Sequence, residues 1–201
     1  MRKKSLSLFV LAALCTVAAV PAAKATPATE AFIQENFDKG TTILNSKTLS
    51  EAERRDQFRS LLLELAATRR IALFTLGPYA ARATAADVDT FVEAFKNYSV
   101  SLYEKGLNKY EGQLVKVTGS SDRAADDSVV WADILSPNRT NEPLISVAFR
   151  VRPNDMGTPT VTDILFGGIS LATVQRAEFT AFLSQHNGSI LELINRLNGM
   201  R

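Results

Sequence analysis

Gly168-Ile169-Ser170-Leu171-Ala172 has the outline of a serine nucleophile elbow, with alanine in place of the last glycine. It sits where a strand-like segment passes through Gly167-Gly168 into a helix-like one. Such chemistry needs a base within hydrogen-bond reach of the serine oxygen, and His186 is the only histidine in the chain. Most of the interval between them reads as one helix. Sixteen residues at about 1.5 Å each place the two side chains roughly 24 Å apart. The one acid in that interval, Glu178, lies on the same helix. The spacing therefore predicts a helix cap for Ser170 or Thr173, and a tight strand-to-helix corner for the two glycines.

Other chemistries find less support. One histidine, and one cysteine near the N-terminus, do not make a zinc or transition-metal site. Neither G-x-x-x-x-G-K-[ST] nor G-x-G-x-x-G occurs, so no phosphate-cradling loop is expected and no cofactor is implied. Asp122, Asp126 and Asp127 lack the spacing of a calcium loop and read as a solvated turn. Asp163 stands among Val161, Ile164 and Leu165 in a strand-like run where a charge is unexpected. Pairing with Arg150 or Arg176 would account for it; so would positioning a ligand headgroup. A small hydrolase using Asp163 and a tyrosine is the enzymatic alternative. His186 reads as a helix-end residue that favours the macrodipole.

The elements that must position these residues begin after an export segment. Arg2, Lys3 and Lys4 precede a nearly continuous apolar run from Leu6 to Val20, and Ala23-Lys24-Ala25 supplies small residues for cleavage before Thr26. The run is too short for a permanent span, and Leu14 before Cys15 does not fit a lipoprotein anchor. Residues 1–25 are thus expected to be a cleaved signal peptide, and 26–201 a single domain in the periplasm. Cleavage removes Arg2, Lys3, Lys4 and Lys24 and no acid, so the formal net charge goes from +2 to −2. That balance argues against a nucleic-acid partner. With its only cysteine gone, the domain must be held by burial rather than by disulfides.

Helical spacing places Phe32, Ile33, Phe37, Ile43 and Leu44 on a first helix that starts near Pro27 or Thr29. Ser50-Glu51-Ala52-Glu53 fits a capping box for a second helix bearing Phe58, Leu61, Leu62 and Leu65. Ala67–Leu76 continues as a short helix stopped at Gly77-Pro78. The longest helix opens at Thr84 and runs to about Tyr110, with Val88, Phe91, Val92, Phe95 and Leu102 in one apolar stripe that Tyr98 and Tyr103 widen. From Gln113 the period becomes two. Strands are expected at Leu114–Gly119, Ser128–Leu135, Leu144–Arg152 and Thr160–Phe166, joined by short turns and hence paired antiparallel. Helices at Thr173–Gln185 and Ser189–Asn198 close the chain, broken at Asn187-Gly188. The class is α+β: a twisted antiparallel sheet of four to five strands with N- and C-terminal helices packed on it.

Several segments, in this order, carry a resemblance. They are Phe58-Arg59-Ser60-Leu61-Leu62; Ile71 to Tyr79 with its Leu-Gly-x-Tyr turn; Phe91–Tyr103; Tyr110-Glu111-Gly112-Gln113; and Asp163 through Gly-Ile-Ser-Leu to Arg176 and Phe179. Together they resemble the MlaC-type or toluene-tolerance family of periplasmic phospholipid-binding proteins. The resemblance implies a monomeric carrier, not an enzyme, with an apolar pocket between sheet and helices. Its cargo would be phospholipid, its role outer-membrane lipid asymmetry. Its partners would be an outer-membrane lipoprotein complex and an inner-membrane MCE-domain ABC transporter. Pocket contacts are expected from Phe91, Phe95, Tyr98 and Leu102 of the long helix and from Trp131, Ile145, Val147, Phe149, Val161, Leu165 and Ile169 of the sheet region. Periodicity says that such residues are buried and does not separate a lipid neighbour from a leucine. A carrier of another apolar molecule, such as a hopanoid or polyprenyl lipid, fits the same pattern.

Overall fold

The computed structural model describes residues 27–107 and 110–200. The expected signal peptide, residues 1–25, lies outside them. Helices α1 (Pro27–Leu44), α2 (Glu51–Leu65) and α3 (Thr68–Leu76) lead through a 3-10 turn (Gly77–Arg82) into α4 (Ala85–Leu107). Five strands follow: β1 (Leu114–Ala124), β2 (Asp127–Ser136), β3 (Arg139–Pro153), β4 (Pro159–Phe166) and β5 (Ile169–Ser170). Helices α5 (Leu171–Gln185) and α6 (Ile190–Gly199) end the chain. The strands form one antiparallel meander in the order β1-β2-β3-β4-β5, so the fold is α+β.

Local chemistry accounts for the helix ends. Ser50 and Glu53 complete the capping box at α2, and Thr84 with Asp87 makes the same reciprocal pair at the start of α4. Helix α5 ends in a Schellman motif. Asn187 takes a φ of +52°, and the Gly188 amide donates back to the Leu183 carbonyl at 2.7 Å. Gly77 does not terminate the helical run outright. At φ +56° it turns the chain into the 3-10 segment, where a Cβ would stand 2.9 Å from Thr180 Cγ2 of α5.

Strand β1 continues five residues past the expected end at Gly119. A bulge at Thr118–Gly119 absorbs the irregularity, and Ser120–Asp122 go on pairing with β2. Their polarity suits an edge strand, whose outer backbone groups need other partners. Gln34 of α1 supplies two: its amide nitrogen donates to the Val115 carbonyl and its amide oxygen accepts from the Val117 N–H, each at 3.0 Å. Helix α1 is thereby locked across the inner face of β1 and β2.

The apolar interior is split. One cluster joins α1 to the sheet: Ile33 against Val130, Ala132, Val147, Phe149 and Val151, with the Phe37 ring 5.1 Å from that of Phe149. The other is wholly helical. Phe91, Phe95 and Tyr98 of α4 meet Phe179 and Leu183 of α5 and Leu193 and Leu197 of α6, and Phe179 packs edge-on to both Phe91 and Phe95.

At one end of the sheet, Arg150 makes two hydrogen bonds to the buried Asp127. Those bonds hold the Asp127 carboxyl below its usual range. A carboxyl depressed in the folded state binds fewer protons folded than unfolded. Its contribution is therefore present above the unfolded value of about 3.9 and disappears as pH falls through the lower folded value. Arg150 is partly exposed, which screens the pair. Asp127→Asn should cost about 1–2 kcal/mol at pH 7 and progressively less below about pH 4, read from urea denaturation at several pH values.

Candidate functional site

Between the two apolar clusters lies a cavity of about 350 Å³. Helix α4 contributes Phe95, Tyr98, Leu102 and Tyr103, which recur at helical spacing along one face. Leu62, Leu63 and Ala66 come from the end of α2, and Ile71 and Thr75 from α3. Val161, Ile164 and Phe166 of β4 and Leu171 of α5 close the far side. The wall is predominantly apolar. The fully buried Thr75 hydroxyl donates within its own helix to the Ala72 carbonyl at 2.7 Å and so presents no unpaired polar group.

A bulge decides which β4 residues face inward. Val151 pairs with Val161 but Arg150 pairs with Asp163, leaving Thr162 as the extra residue. Past that point the alternation is shifted by one, so Ile164 and Phe166, opposite Phe149 and Val147, share the inner face with Val161. The α2–α3 junction is stapled to the same place: Ala66 bridges Val161, and the Ala67 amide donates to the Val161 carbonyl at 2.9 Å.

Asp163 Oδ1 accepts from the Ile164 amide at 2.9 Å and from the Ala172 amide at 3.0 Å. The carboxylate thus serves the N-terminus of α5, where a negative charge is favoured and free N–H groups need acceptors. Neither expected arginine is its direct partner. Arg150 binds Asp127, and Arg176 stacks its guanidinium 4.9 Å from the centre of the Phe74 ring.

Ser170 is the N-cap of α5, accepting from the Thr173 amide at 3.0 Å. The glycines before it form a two-residue hairpin turn, with φ of +55° and +80°, between β4 and the short β5. The anticipated corner is therefore a hairpin followed by a helix. His186 is the C-cap at the other end of the fifteen-residue α5, stacked on Phe182 with its Nδ1 2.8 Å from the Phe182 carbonyl. Serine and histidine are separated by the whole helix, so His186 cannot serve Ser170 as a base.

Of the residues expected to touch a ligand, Phe95, Tyr98, Leu102 and Val161 line the cavity. Phe91 is fully buried in the helical cluster, and Val147 and Phe149 lie under α1. Ile145 is exposed near the end of the face that α1 covers. Trp131 and Leu165, in register with Ala148, occupy the opposite face of the sheet, and Ile169 is exposed on β5. Leu62, Leu63, Ile71, Ile164, Phe166 and Leu171 were not singled out by sequence. The helical leucines read equally well as core, and the shift of alternation at Thr162 leaves no mark in the residue types.

Burial pushes the Tyr103 phenol above its ordinary pKa although 42% of the residue's surface is accessible. The two fit together when that surface faces a cavity rather than bulk water. Leu102, Phe166 and Leu171, also exposed cavity residues, extend this apolar lining. A larger hollow of about 870 Å³ between α1 and α2 opens broadly to solvent. Carboxylates of Glu35, Asp38, Asp56 and Glu64 stand around it beside Ile43 and Leu61, and its broad opening leaves an apolar ligand exposed to water. Among the described residues no cluster of three or more His, Cys, Asp or Glu could hold a metal. No described helix is long and apolar enough to cross a membrane.

The sequence model of the MlaC protein family matches residues 34–199. Among solved structures, the fold is similar to that of a phospholipid-binding protein from Ralstonia solanacearum, solved in complex with a phospholipid. The TM-score is 0.70 and the identity 22%, over 85% of this chain and 95% of that one. No curated protein matches the sequence.

Asp163→Ala should destabilise the fold by about 1–2 kcal/mol through loss of the acceptor at α5. Asp163→Asn, which keeps an oxygen there, should cost less than half as much, both read from chemical denaturation.

Proposed function

The chain belongs to the MlaC family, and from that premise we propose that it is a periplasmic carrier that holds phospholipid acyl chains in the cavity between α4 and β4. The observation that carries the reading is the apolar cavity itself, lodged where two hydrophobic clusters approach without merging. Two sixteen-carbon tails expose about 30 methylenes, and at about 0.8 kcal/mol each this amounts to roughly 24 kcal/mol in water. Crossing an aqueous compartment therefore requires replacement apolar surface of the kind these walls offer. The phospholipid in the Ralstonia protein of similar fold supports the same class of cargo.

Cavity size bears on how the cargo is held. A cavity of about 150 Å³ takes up six-carbon benzene, so 350 Å³ corresponds to about fourteen carbons, close to one acyl chain. Admitting a second chain requires the walls to part.

In this reading residues 1–25 direct export and 26–201 form the single carrier domain. The protein takes lipid from, or delivers it to, an outer-membrane lipoprotein complex and an inner-membrane MCE-domain ABC transporter. It contains no P-loop, so a partner must bias the open state. Catalysis has no support at Ser170, whose oxygen caps α5 far from His186.

Protein purified from the periplasm and extracted with organic solvent should yield glycerophospholipid by mass spectrometry. Recovery of a phosphorus-free hopanoid or polyprenyl lipid would reassign the cargo. Protein that is always lipid-free, and takes none from vesicles, would contradict the carrier reading.

A further inference from the structure

Helix α4 presents two parallel lines to the cavity. Phe95, Tyr98 and Leu102 fall at i, i+3 and i+7 and form a line that is apolar but for the Tyr98 hydroxyl; Lys96, Ser99 and Tyr103 repeat the same spacing one residue on. The second line bears an ammonium, a hydroxyl and a phenol, each a hydrogen-bond donor. Among the described residues Lys96 is the one cation on the cavity wall, and the one anion there, Asp163, is engaged with two backbone amides. Lys96 is also placed to reach the mouth. Its side chain is 31% accessible, and its Nζ lies 2.6 Å from Oε2 of Glu93, a more exposed residue one turn earlier. Its stem can therefore lie along the wall while its charge stays near water.

A glycerophospholipid brings one thing its tails do not: a phosphodiester, anionic and able only to accept hydrogen bonds. With the chains between α4 and β4, that group must sit where the apolar wall gives way to donors. Resting on the carrier reading above, we propose that the line Lys96, Ser99 and Tyr103 receives the lipid phosphodiester. Lys96 exchanges its contact with Glu93 for the phosphate. Glu93 then neutralises Lys96 in the empty protein and competes with the incoming headgroup, which makes this pair the determinant of phosphate-bearing over phosphate-free cargo.

The test uses the mature chain with two lipids of identical acyl chains: phosphatidylglycerol in vesicles, and diacylglycerol, which lacks the phosphate, dispersed in detergent. Lys96→Gln should weaken phosphatidylglycerol binding about tenfold, the scale of a lost charge-assisted hydrogen bond, and leave diacylglycerol binding unchanged. Lys96→Arg should restore most of the loss, and Glu93→Gln should tighten phosphatidylglycerol binding several-fold. Equal weakening of both lipids by Lys96→Gln, or of neither, overturns the assignment and leaves the carrier reading intact. Wild-type protein that takes up neither lipid overturns the carrier reading, and this inference with it.

Discussion

Two hydrophobic clusters, one between α1 and the sheet and one among the helices, approach without merging, and the structure depends on that constraint. Helix α1 claims the inner face of β1 to β3, where Ile33 and Phe37 pack on Val130, Val147 and Phe149. Helices α3 to α6 satisfy one another through Leu76, Phe91, Phe95, Phe179 and Leu193. Interiors normally pack to the density of organic crystals, so a persistent gap requires both sides to be complete without it. Here each cluster has its own aromatic contacts, and β4, with the α2–α3 junction stapled to it, spans the ground between them.

That strand carries an unusual share of the architecture. Its bulge at Thr162 turns Ile164 and Phe166 inward, its Val161 carbonyl anchors the α2–α3 junction, and its Asp163 fixes the start of α5. The Gly167-Gly168 hairpin then reverses the chain so that Leu171 closes the cavity from the other side. A segment with the outline of a catalytic elbow is, physically, the framework for one wall of an apolar site.

Much of this was legible in the residues. Capping boxes, helical stripes and the change of period at Gln113 give the class, the order of elements and most boundaries. The buried apolar residues of α4 follow from spacing, whereas Lys96 and Ser99 on the cavity wall do not. What the residues do not state is which helix covers which strand. Val147 and Phe149 alternate as cavity residues would, yet α1 already occupies their face. Nor do they reveal a one-residue bulge. Val161 and Leu165 share a parity in sequence, and the extra Thr162 sends Leu165 to the opposite face. Periodicity reports burial; only the packing of distant segments determines against what.

The central claim is that the gap between the clusters holds the acyl chains, and site-specific photocross-linking to lipid tests it most directly. A photoreactive residue replacing Val161 on the inner face of β4 should capture co-purified or vesicle-derived phospholipid. The same residue replacing Trp131, on the opposite face of the sheet, should capture none. Capture at Trp131 with none at Val161 would contradict the account.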